Sequence, residues 1–190
     1  MRTPQPSYRI DALLVGPLAD LPEFFKDTDA MPLSMVGNLA FRNLLCGQKL
    51  GLPSGERAAV AFGVPPLGSD VLWNAGSRLL DETSLEDDDR KELKETRKKR
   101  EAVRTTWVDS GGPLAGNTPL WYYVLREAEY YGVDRDADDD AIGFGGQHLG
   151  PLGSRIVAET LIGLLWLDQR SFLHAHRPFR PWTPSPGTAR

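Results

Sequence analysis

Only one cysteine, Cys46, occurs in the 190 residues, so no internal disulfide framework can form. Without a C-x-x-C pair, thioredoxin-like chemistry has no support either. Histidine is nearly as scarce: His148, His174 and His176 are the whole complement, all in the last quarter of the chain. Neither G-x-S-x-G nor H-E-x-x-H is present, which removes the signatures of a serine hydrolase and a zincin. No apolar run is long enough for a signal peptide or a spanning helix, so the expectation is a cytoplasmic protein with no membrane partner. The net charge of -4 offers no general attraction to nucleic acid. Period-two alternation of useful length is missing too, and the fold class expected is therefore mainly α and multi-helical.

What is present is a globular mixture, 41% hydrophobic and 25% charged, enough for a single domain portion over 1–190. Pro4, Pro6, Pro17, Pro22 and Pro32 break the start into short pieces. Ser34 reads as the N-cap of a helix over 36–48, and Ser54 as the cap of a second that Gly63 and Pro65-Pro66 close. A third is expected over 69–80. From Asp81 the composition turns charged, with Thr83 and Ser84 as capping residues, acids in the first turn and the bases Arg97 to Arg100 in the last. The segment 81–106 reads as a solvated helical insertion. Acids precede its basic cluster and no aromatic interleaves it, so it is not a nucleic-acid patch. A glycine-rich loop then leads to Thr118, expected to cap a helix that has Pro119 first, Trp121, Val124, Leu125 and Ala128 inside, and Gly132 as its stop. The helix over 153–170 is the most apolar and is expected at the centre of the packing. Four prolines make 177–190 an extended tail.

One polar residue sits out of place. In FRNLLCGQKLGLPSG, 41–55, Asn43 shares the apolar stripe of Val36, Leu39 and Ala40. An unpaired amide there costs roughly 1 to 3 kcal/mol, so Asn43 is expected to have a partner. The stretch resembles the region of animal-type haem peroxidases (the bacterial branch of the peroxidase-cyclooxygenase superfamily) where an asparagine hydrogen-bonds the imidazole that ligates haem iron. Asn43 matches that asparagine, and Gly51-Leu52-Pro53 matches the turn after it. Further on, Thr118-Pro119-Leu120-Trp121 is followed by His148 to Gly153, Arg155-Ile156-Val157-Ala158-Glu159, Leu161 to Leu165 and Arg170-Ser171-Phe172-Leu173. These resemble, in the same order, the family pattern TPLW...LGP.G..IVAE..IGLL...D..S(F/Y)L. Together the matches cover most of the chain outside 80–116.

The resemblance implies the C-terminal part of the animal haem peroxidase fold, with haem as the cofactor and Asn43 orienting its ligand. It also shows what is missing. The family's distal histidine, catalytic arginine and proximal histidine all precede the asparagine, and no histidine precedes Asn43 here. Three residues on, an arginine that meets a haem propionate in the family is replaced by Cys46. That loses a charge-assisted bond of roughly 1.5 to 3 kcal/mol, and Lys49 is the nearest cation to replace it. The implied function is the proximal-side wall of a peroxidase that oxidises donors with hydrogen peroxide, a separate chain carrying the N-terminal half. The isolated chain is not expected to bind haem. The alternative is a non-catalytic interaction or scaffold module derived from a peroxidase, which self-associates or binds a partner.

Other candidates fall short on their own residues. His174 and His176 form an H-x-H pair without the further ligands a metal site requires. Asp134, Asp136, Asp138 and Asp140 begin like a calcium loop, but Asp139 stands at its glycine position and Gly145 at its closing glutamate. Gly143, Gly145, Gly146 and Gly150 complete no phosphate-binding motif. No catalytic and no metal-ligating residue is expected in this chain.

Overall fold

The computed structural model describes residues 10–12, 16–21, 33–73, 87–131 and 146–175. In order these form α1 (Gly16–Ala19), α2 (Leu33–Val36), α3 (Leu39–Lys49), α4 (Gly55–Ala61), α5 (Ser69–Trp73), α6 (Asp87–Trp107), a 3-10 turn (Asp109–Gly111), α7 (Leu120–Tyr131), α8 (Pro151–Leu167) and α9 (Phe172–Ala175). The protein is mainly α: no strand occurs among the described residues beyond one bridge between Ser54 and Pro119. No described helix is long and apolar enough to cross a membrane. The chain divides into two compact units, Met1–Gly153 and Ser154–Arg190, and α8 begins in the first and continues in the second.

Helix ends follow local chemistry, with one correction. The helix expected from Ser34 is broken at Gly37, and its longer part, α3, is capped by Asn38, whose side chain accepts from the Phe41 N–H at 2.9 Å. The break is tertiary in origin: the Gly37 carbonyl accepts from the Leu21 N–H at 2.9 Å. Ser54 caps α4 as expected, accepting from the Arg57 N–H, and Gly63, at φ +66°, turns the chain after it. In α6, Asp87 pairs with Arg90 at 3.1 Å on a mostly exposed helix. The rest of the expected third helix, Thr83, Ser84, Asp134 to Asp140, Gly143, Gly145, His176 and 177–190 lie outside the described residues.

The first unit is built around α4 and α7. Gly55 opens α4 against the Tyr123 ring so closely that a Cβ there would lie 2.0 Å from the ring. Its N–H donates to the Thr118 carbonyl at 2.8 Å, while Glu56 accepts from the Thr118 N–H and hydroxyl at 3.0 and 2.5 Å. The hydroxyl expected to cap α7 is thus given to α4, and α7 starts at Leu120. Around this joint Ala58, Ala59, Leu67, Leu72 and Tyr123 are buried. The Leu67 N–H donates to the Tyr123 hydroxyl at 2.9 Å, so this fully buried side chain also satisfies its polar tip.

Two packing expectations are corrected. In α7 the fully buried residues are Tyr123, Arg126, Glu127 and Ala128, whereas Trp121, Val124 and Leu125 are half-buried. Charged residues occupy the inner face because neighbouring helix ends need them: Arg126 donates to the carbonyls of Val71 and Leu72 at the end of α5 and pairs with Glu129. The second correction concerns α8. Expected at the centre, it buries only Leu152 and Gly153, and its apolar side chains from Val157 onward are largely exposed.

We predict that Gly55→Ala lowers stability by about 1–3 kcal/mol, the cost of overpacking a filled site, because neither backbone nor ring can yield. Urea titration monitored by circular dichroism measures it; an unchanged midpoint would show that the joint is looser than described.

Candidate functional site

The site singled out by Asn43 is a groove of about 480 Å³ between α3, the turn after it and the chain entering α7. Phe41, Asn43, Leu44 and Gln48 form one wall, and Leu114, Asn117, Leu120 and Trp121 stand opposite. The turn after α3 is made by Leu50, whose N–H donates to the Cys46 carbonyl at 2.9 Å, and by Gly51 at φ +63°. Beyond it the Leu52 N–H returns to the Gly47 carbonyl at 3.0 Å and carries Leu52 and Pro53 into the lining. The far wall is held by the Asn117 amide, which donates to the Pro113 carbonyl at 3.3 Å.

Asn43 is half-buried in this wall, and its side chain makes no hydrogen bond among the described residues. The expected partner is thus not supplied by these parts of the chain. The expected interior stripe is also milder than the sequence suggests, since α3 has no fully buried residue. Lys49 and Cys46 are both exposed and neither lines the groove. His148 approaches its neighbour's carbonyl, Nδ1 to Leu149 O at 2.8 Å, and His174 approaches the Trp166 carbonyl through Nε2 at 2.8 Å. Neither imidazole lines the groove. No group of three His, Cys, Asp or Glu side chains able to hold a metal ion exists among the described residues.

Behind α7 lies a polar joint that the sequence reading missed. Glu127, fully buried, accepts from the Leu152 N–H at 2.9 Å and the Gly153 N–H at 3.0 Å at the start of α8. Those amides are orphan donors at a helix N-terminus, where the dipole also favours a carboxylate. Gly150 makes the approach possible, because a Cβ there would lie 2.3 Å from the Glu127 side chain. The signal was in the sequence only as Leu-Gly-Pro-Leu-Gly before a helix, with nothing to say which acid would meet it. Burial pushes the Glu127 carboxyl above its ordinary value, and the two backbone donors offset part of that rise. The Tyr123 phenol is likewise raised, first by burial and then by the nearby Glu127 and Glu56 charges.

Compared with known proteins, the chain matches no protein-family model, no curated protein and no solved structure.

The raised Glu127 value has a defined effect on stability. Below the ordinary glutamate value of 4.5 the group is protonated in both folded and unfolded chains and contributes no pH dependence. As pH rises through the folded-state value, the unfolded chain loses the proton more readily, and the group's contribution falls. The stability of the native chain relative to Glu127→Gln should therefore decline as pH rises from about 4 through the folded-state value. Paired urea titrations across that range measure the difference; a difference that rises with pH would mean that the two backbone donors outweigh burial.

Proposed function

We propose that this chain is the C-terminal portion of a haem peroxidase and forms the wall behind the proximal ligand, the other half coming from a separate polypeptide. The observation that carries the reading is Asn43: a half-buried amide in the wall of a groove, unbonded among the described residues. Its Oδ1 would accept the Nδ1 proton of an imidazole entering from the partner, fixing the tautomer and raising the basicity of the other nitrogen. The leucines and Trp121 around it would keep water away from that bond. The family resemblance supplies the reaction class, peroxide-dependent oxidation of a donor.

The residues described here do not by themselves fit haem. No imidazole faces the groove, and the two positions nearest the family's propionate contact, Cys46 and Lys49, lie outside it. This same observation favours the second reading, a non-catalytic interaction module that kept the peroxidase-like packing.

The isolated chain should therefore show no Soret band at one haem per chain and no turnover above free haem. A stoichiometric band that His174→Ala abolishes would overturn the proposal. With the histidine-bearing half added, Asn43→Ala should leave the assembly intact and reduce turnover about 10- to 100-fold, the usual effect of losing a ligand-orienting partner. Unchanged rates with a lower melting temperature alone would assign Asn43 a structural role and favour the second reading.

A further inference from the structure

Every residue that lines the groove between α3 and the start of α7 is uncharged, although Arg42 and Lys49 belong to the same α3. All of the lining lies in the first unit, so the shape of the groove is set within that unit. Its walls are pinned in the free chain. Asn38 caps the start of α3, Ser54 accepts from the Arg57 N–H, and Glu56 holds Thr118 just ahead of Pro119 and Leu120. A preformed cleft of about 480 Å³ falls in the range of roughly 300–1,000 Å³ that small-molecule sites occupy.

The lining also specifies a chemistry. Phe41 on one wall and Trp121 on the other supply aromatic surface, against which a flat, rigid ring packs at less cost in freedom than a flexible chain of the same size. Three carboxamides stand among the apolar side chains. Those of Asn43 and Gln48 make no hydrogen bond among the described residues, and Asn117 gives one N–H to the Pro113 carbonyl. A carboxamide both donates and accepts, and it carries no charge. A carboxylate or ammonium entering the groove would give up hydration with no counter-charge in the lining to meet it.

We propose that this groove binds a small, uncharged aromatic molecule that carries both a hydrogen-bond donor and an acceptor, of the aromatic carboxamide type. The proposal concerns the chain on its own and does not rest on the peroxidase reading.

The test is a ligand-detected NMR titration of the full chain with three probes of similar shape: benzamide, benzoate and benzylammonium. Benzamide should bind at millimolar concentration, and each ion about tenfold or more weaker. Asn43→Leu, which keeps the size of the side chain and removes the amide, should weaken benzamide about threefold to tenfold. Trp121→Leu should weaken it as well, while Val60→Gln, at an exposed position of α4 outside the groove, should not. Circular dichroism follows the fold of each variant, and the comparison of the three probes needs no variant. No binding of benzamide, equal binding of the three probes, or benzamide binding unchanged by Asn43→Leu would each overturn the proposal. Neither haem nor a second polypeptide enters the titration, so failure of the peroxidase reading leaves its outcome unaffected.

Discussion

A carboxylate held under the first amides of a helix is the contact on which the arrangement of the first unit turns. Glu127 reaches from α7 to the N–H groups of Leu152 and Gly153, and no other described group offers those donors a partner. Losing it would leave two buried amides unsatisfied, each costing roughly 1–3 kcal/mol. Glu56 does the same at the other end of α7, taking the N–H and hydroxyl of Thr118. Two acids thus fix where α7 begins and what lies against its far end. The start of α7 is also one wall of the groove, since Pro119, Leu120 and Trp121 line it. The depth at which Asn43 faces that wall depends on contacts made well away from it.

The same division of labour leaves the groove lined by uncharged side chains. The charged side chains that the fold buries are spent on helix ends: Glu127 on α8, and Arg126 on the carbonyls of α5. The groove keeps amides and leucines, which can accept a hydrogen bond or exclude water, and no imidazole lines it among the described residues. Under the proposed function such a surface would stand beside a ligand that another polypeptide carries.

Much of the fold was legible because it depends on neighbours in sequence. Ser54 three residues before an N–H it can cap, Gly51 and Gly63 at left-handed turns, and the extent of α7 up to Tyr131 all follow from local rules. Asn38 was missed as a cap because Ser34 offered an equally good local signal, and the choice was made by the distant Leu21. The inner face of α7 was misread for a similar reason. Apolar periodicity points to Val124 and Leu125, but helix ends far along the chain demand Arg126 and Glu127. For α8, apolar composition pointed to burial, and the exposure from Val157 onward did not follow from it. At the site, the stripe marked Asn43 as a polar residue out of place, but neither the groove it lines nor the exposure of Lys49 at the end of its helix was legible.

The proposed function stands on a hydrogen bond between Asn43 and an imidazole supplied by a separate peroxidase half, and in a ferrous two-chain assembly the iron–imidazole stretching frequency would read that bond directly. A stronger acceptor makes the ligand more basic and stiffens the iron bond, and a missing acceptor loosens it. Resonance Raman spectra should therefore shift upward for Asn43→Asp and downward for Asn43→Ala. Identical frequencies in the native assembly and both variants would contradict the claim that this chain stands behind the ligand.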